Sequence, residues 1–186
     1  MQRRQIARAA AILPFLGAAP FLKTRPAQAA TRAEIDAEVS AALTRLRGMQ
    51  NAEPLFAPSK AILVFPRIIS GGFLVGGQYG EGALLRGSQT VGYYNIAGMS
   101  FGLLAGAQAA GLAMFFMTEE SLRALMAADG WEVGTGPTVV ALDQGLQANA
   151  SSTTLSQPVY AITFGQQGLM AAVALNGTKI TRIRPD

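Results

Sequence analysis

Glycine constrains this chain more than any other residue. The stretch Gly71-Gly72-Phe73-Leu74-Val75-Gly76-Gly77-Gln78-Tyr79-Gly80-Glu81-Gly82 interleaves it with large apolar side chains, and most of the 21 glycines lie between Gly71 and Gly145. Flexible linkers seldom carry Phe, Leu, Val and Tyr among their glycines. The pattern predicts curved strand with backbone packed closely on backbone, since a missing Cβ lets strands bend and approach. Half of the chain is apolar and 14% is charged, the balance of a folded domain rather than a disordered one.

Histidine and cysteine are absent. Their absence excludes Ser-His-Asp and Cys-His catalysis, imidazole or thiolate metal sites, disulfides and iron–sulfur clusters. The pattern Gly98-Met99-Ser100-Phe101-Gly102 fits the nucleophile elbow G-x-S-x-G, yet no histidine exists to take the serine proton. No phosphate-loop spacing occurs in the glycine runs, and the carboxylates are scattered, so a hydrolase ranks last among the functional readings. Neither a cofactor nor a metal is implied.

Residues 1–29 have the layout of an export signal. Arg3, Arg4, Arg8, Lys23 and Arg25 are unopposed by any acid, Ala9–Leu22 is a short apolar run, and Ala27-Gln28-Ala29 supplies a small-x-small cleavage site. Arg3-Arg4-Gln5-Ile6 resembles a twin-arginine signal. A retained anchor is the alternative, but Pro14 and Pro20 interrupt a spanning helix. Without this segment ten basic side chains stand against eleven acidic ones, so the net charge of +4 belongs to the signal. Nucleic-acid binding thereby loses its compositional support. The expected location is exported, periplasmic or envelope-associated.

Beyond the signal, Thr31-Arg32-Ala33-Glu34 is a capping box, followed by Ile35, Val39, Leu43, Leu46 and Met49 at helical spacing. Gly48 and Pro54 bracket the helix end. Ala61–Phe65 reads as a buried strand ended by Pro66, Thr90–Ala97 as another, and Thr118-Glu119-Glu120-Ser121 as the start of a short helix. The 22 residues Ile96–Met117 carry no charge; two buried strands joined near Gly106–Gly111 explain them, and so does a spanning helix with Gly98, Gly102 and Gly106 on one face. Asp143–Gln157 is polar and reads as a loop. Asn176-Gly177 predicts a type I′ turn between Leu169–Leu175 and Thr178–Ile183, with Val173 opposite Ile180 and Leu175 opposite Thr178. These readings predict one α+β domain over residues 30–186. An N-terminal amphipathic helix packs on a strongly curved, Gly-rich antiparallel sheet, barrel- or sandwich-like, with a second short helix.

The order of motifs resembles the SYLF domain family. Ser59-Lys60-Ala61 precedes an apolar strand as that family's Ala-Lys-Gly-like triplet does. Gly71-Gly72-Phe73, Gly80-Glu81-Gly82 and Ala105-Gly106-Ala107-Gln108-Ala109-Ala110-Gly111 fall at its Gly-rich positions, and Phe115-Phe116-Met117-Thr118 at the strand before its short helix. Pro158-Val159-Tyr160 and Gln167-Gly168-Leu169-Met170-Ala171-Ala172-Val173-Ala174-Leu175-Asn176-Gly177 are similar to its last hairpin. The resemblance implies lipid binding: eukaryotic members bind phosphoinositides, some fungal members bind and bundle actin, and exported bacterial members share the core alone. This chain departs from the eukaryotic pattern in charge, with Glu34, Asp36 and Glu38 in its first helix and Gln166-Gln167 before the last hairpin. Those departures weigh against phosphoinositide specificity and actin binding.

The sequence thus points to non-catalytic association with anionic phospholipid at a bacterial envelope surface. Arg45, Arg47, Lys60 and Arg67 are the expected head-group contacts, and the helix stripe with Leu43 and Leu46 the expected inserting element. The alternative is a structural or partner-binding envelope protein whose helix stripe docks on protein.

Overall fold

A computed structural model describes residues 30–73, 75–101, 106–142, 155–167 and 177–186. Helix α1 (Arg32–Arg47) begins as its sequence predicts: the Thr31 side chain accepts from the Glu34 backbone N–H, and the Glu34 carboxylate accepts the Thr31 N–H at 2.8 Å. Gly48 closes the helix by donating back to Arg45 and Leu46. Its buried stripe is Ile35, Val39, Ala42 and Leu46, with Leu43 and Met49 half-buried beside it. Pro54 stops nothing. It sits in the first turn of a one-turn helix, α2 (Glu53–Phe56), where its missing N–H has no partner to lose.

Eight strands follow: β1 (Ala61–Phe73), β2 (Val75–Arg86), β3 (Gln89–Phe101), β4 (Gly106–Phe116), then after α3 (Glu119–Ala127) β5 (Trp131–Glu132), β6 (Val139–Ala141), β7 (Val159–Gln167) and β8 (Thr178–Ile183). They form one sheet in the order β5-β8-β3-β2-β1-β4-β7-β6. All pairs are antiparallel except β6 with β7, so the sheet is mixed rather than purely antiparallel. The chain itself forces this sheet to curl. Strands β5 and β6 stand at opposite edges, yet only residues 133–138 join them, a reach of about 25 Å. A flat sheet of eight strands is about 34 Å wide. Trp131 on the edge strand β5 accordingly lays its ring 6.0 Å from that of Phe116 on β4, far along the sheet.

The curl gives the sheet two unlike faces. The concave side encloses Leu63, Phe65, Leu84, Ile96, Met114 and Ile180, closed off by Leu122 and Leu125 of α3. The convex side carries Val64, Ala83, Ala113, Phe115 and Ile162, covered by α1 and α2. The result is a half-barrel with a helix packed on its outside, the α+β architecture expected.

Four local expectations need comment. Pro66 does not end β1; the strand continues to Phe73 through a bulge, marked by register shifts between Val64 and Arg67 against β2 and between Phe65 and Ile68 against β4. A bulge leaves a residue unpaired, which suits one that has no N–H to give. The glycines opposite are required by it: a Cβ on Gly82 would lie 2.1 Å from the Val64 carbonyl oxygen, and one on Gly80 2.7 Å from that of Arg67. Within Ile96–Met117 the described residues are strand rather than spanning helix: Ile96–Phe101 belong to β3 and Gly106–Phe116 to β4, so the expected junction at Gly106–Gly111 lies inside a strand, and among the described residues no helix is long and apolar enough to cross a membrane.

The expected pairing of Val173 with Ile180 and Leu175 with Thr178 falls on residues 173 and 175, which lie outside the described residues. Ile180 lies between Ile96 of β3 and Trp131 of β5, so both edges of β8 are taken. On the β3 side Thr178 faces Gly98, and on the other its carbonyl accepts the Val133 N–H. Gly177 does carry the positive φ that the Asn-Gly reading requires, at 75°. The segment 1–29, most of Asp143–Gln157 and residues 169–176 lie outside the described residues.

Candidate functional site

A groove of about 440 Å³ opens on the convex side where α1 leaves the sheet. Its upper wall is about two turns of α1, from Glu38 through Ala41 and Ala42 to Arg45. Residues three and four apart share a helix face, and the two small alanines keep the space beneath that face open. The lower wall is the β1 bulge, Pro66 and Arg67. On the floor Gly111 of β4 lies under the Phe164 ring so closely that a Cβ there would come within 2.3 Å of it. Gly165, with φ of 61°, follows at the rim.

The bulge brings Arg67 to the groove that Arg45 enters from the helix. Both are exposed, and neither makes a hydrogen bond or ion pair with a described residue. Other arginines are committed: Arg86 pairs with Glu119, the Arg32 Nε donates to the Pro185 carbonyl at 2.7 Å, and Arg47 lies 5.6 Å above the Phe56 ring. Two unpaired guanidinium groups facing one groove form a fork-like donor set suited to phosphate or carboxylate oxygens, with Glu38 the acidic member of the wall.

The remaining sequence-predicted residues are elsewhere. Lys60 is exposed just before β1, about 20 Å along the strand from Arg67. Arg47 is held over Phe56 at the far end of α1. Leu46 is wholly buried and Leu43 half-buried, so the helix stripe is the convex-side core and Leu46 has no face to offer a membrane.

Beside the groove no element of the described residues covers the convex face. Past the bulge Arg67 and Ile69 share one side of β1, and Ile69 is paired directly with Tyr79, which is paired in turn with Ala97, two residues before Met99. Ile69, Tyr79 and Met99 are 50%, 48% and 58% exposed, more than a chance scatter of surface apolar residues on three adjacent strands. The Tyr79 hydroxyl donates to Glu81 Oε1 at 2.7 Å; burial, then this bond, holds its pKa above the ordinary tyrosine value. Sequence reasoning missed this patch. Its one signal is the alternation of Arg67 and Ile69 with Ile68 and Ser70, which marks the faces but not what covers them.

Gly98–Phe101 lies within β3, and Ser100 pairs with Gly76. This is extended strand, not the sharp strand-to-helix turn that a nucleophile elbow needs. Among the described residues no three metal-ligating side chains converge.

Residues 97–185 match a family model described as Ysc84, Las17-binding protein actin regulator. No curated protein matches the chain significantly.

Proposed function

From the membership of residues 97–185 in the Ysc84 (SYLF) domain family, a family of binding domains, we propose that this chain is a non-catalytic phospholipid-binding domain, exported to a bacterial envelope surface. One observation carries the reading: Arg45 and Arg67, both without a protein partner among the described residues, converge on a groove that borders the exposed Ile69, Tyr79 and Met99. A membrane surface offers both complements at once, anionic head groups for the arginines and acyl chains for the apolar side chains. Each arginine near an anionic surface contributes about 1 kcal/mol, and the apolar residues add what area they remove from water. Leu46 has no part in this reading, because its side chain is already core, and Leu43 is half-buried beside it. Export rests on the residues of the 1–29 segment.

Co-sedimentation tests the reading. The chain should sediment with vesicles of anionic phospholipid at low salt, less with neutral phosphatidylcholine, and less as salt rises. Arg45→Ala/Arg67→Ala should weaken binding roughly 30-fold, the equivalent of two such contacts. Failure of the folded protein to bind anionic vesicles at low salt would overturn it.

A protein partner on the same face is the second reading, favoured by the family's description as Las17-binding and actin-regulating. It predicts no vesicle binding and a partner lost on Ile69→Ser.

A further inference from the structure

We propose that removal of the export segment creates a charged N-terminus at Ala30 that locks onto Glu81. The inference rests on the export reading and is independent of the lipid reading. Two unrelated observations meet at one residue. In the sequence, the small-x-small triplet Ala27-Gln28-Ala29 makes Ala30 the first residue of the processed chain. In the structure, the backbone nitrogen of Ala30 donates to Glu81 Oε2 at 3.1 Å, a contact between residues 51 positions apart.

The carboxylate is held ready for more than an amide. The Tyr79 hydroxyl occupies Oε1 at 2.7 Å and leaves Oε2 to Ala30. Arg67 lies opposite Glu81 in the strand register yet forms no ion pair with it. In the unprocessed chain the carboxylate therefore meets a neutral peptide N–H. Hydrolysis of the Ala29–Ala30 bond by a host signal peptidase adds water across it. The departing segment keeps the new carboxylate, and Ala30 keeps the amine, which takes up a proton at neutral pH. The same nitrogen then carries a full charge and three donors, and a charge-assisted bond is shorter and stronger than a neutral one. Because Thr31 caps α1 at the next residue, the pair ties the start of the helix to β2 beside Tyr79. Processing and tightening of the fold become one event.

The test expresses the full chain in an export-competent bacterium. The N-terminus of the envelope product is sequenced, and its melting temperature is compared with that of the precursor recovered from the cytosol, each also as Glu81→Gln. We expect a product beginning at Ala30 that melts about 2–4 °C above the precursor. Glu81→Gln keeps an acceptor but removes the charge and should close that gap. A gap unchanged by Glu81→Gln overturns the lock while leaving export intact. A product beginning at Met1, or at any residue other than Ala30, overturns the lock through its premise. Should Glu81→Gln not fold, acylation of the Ala30 amine by an activated ester at neutral pH decides. It should run several-fold slower in the native processed protein than in the unfolded one; equal rates overturn the lock.

Discussion

The strands of the convex face cross from covered ground to open ground within their own length. In the covered half Val64, Ala83 and Ala113 are fully buried under α1 and α2. In the open half, on β1, β2 and β3, Ile69, Tyr79 and Met99 stand about half exposed. The concave side continues beneath both. Both halves carry apolar side chains on this face, so their presence alone does not separate covered from open. Reach does. Helix α1 lies across the strands: Ala30 just before its start bonds Glu81 of β2, Asp36 accepts from Tyr93 of β3, and Arg45 near its end shares a groove with Gly111 of β4 and Phe164 of β7. It therefore covers a band of β1, whose 13 residues extend about 43 Å, and the Pro66 bulge at Arg67 marks where that cover ends. The comparison teaches that an apolar strand face becomes core only where another element reaches it.

Glycine offers the hardest way to break this comparison. In the covered half a Cβ on Gly82 would meet the Val64 carbonyl oxygen at 2.1 Å, backbone that has nowhere to go. Gly82→Ala should cost more than about 3 kcal/mol, or abolish cooperative unfolding, because the bulge itself must shift. In the open half a Cβ on Gly77 meets nothing nearer than the Gly98 carbonyl oxygen at 4.0 Å. Gly77→Ala should stay within about 0.5 kcal/mol by urea denaturation. Equal effects would mean that the two halves are packed alike.

The helix gives the next largest contrast. Leu46 is wholly buried against the sheet, and Leu46→Ala should cost about 3 kcal/mol, as large-to-small changes in a core do. Leu43, half-buried on the flank, should cost about 1 kcal/mol on the same change. A small loss at Leu46 would return the stripe to the role of inserting element.

What could be read from the sequence was local. The Thr31–Glu34 capping box, the helical stripe and the Thr118 cap of α3 all depend on neighbours a few residues away, and each is present. What could not be read was decided by distant strands. Pro66 looks like a terminator until β2 and β4 are known to flank it, and then it is a bulge. Asn176-Gly177 promises a turn into β8, but nothing in that segment tells that β3 and β5 flank the strand. Among the proposed site residues, Arg45 and Arg67 could be singled out as basic, but their convergence follows from the bulge, and the uncovered patch follows from the direction in which α1 crosses the strands. Neither fact has a signature in one segment.

A smaller effect sharpens the covered side at its start. The backbone hydrogen bond from Thr31, then its side chain, holds the Glu34 carboxyl below its ordinary value. A carboxyl whose folded pKa is depressed contributes stability above its unfolded pKa and loses it as pH falls through the folded one. Glu34→Gln, which removes the carboxyl, should therefore flatten the acid side of the stability curve, whereas Thr31→Ala keeps the backbone donor and should do so only in part. At neutral pH Thr31→Ala should cost about 1 kcal/mol, read from thermal melts.

If the open half of the convex face meets lipid, a probe placed there enters an apolar environment when vesicles are added. The chain has no cysteine, so Met99→Cys gives a single attachment point for an environment-sensitive fluorophore. Met126→Cys on α3, exposed but away from the patch, is the control. On addition of anionic vesicles the emission from position 99 should shift to the blue while that from position 126 stays where it was. No shift at position 99 in a protein that sediments with the vesicles, or a shift at position 126 instead, would contradict the account.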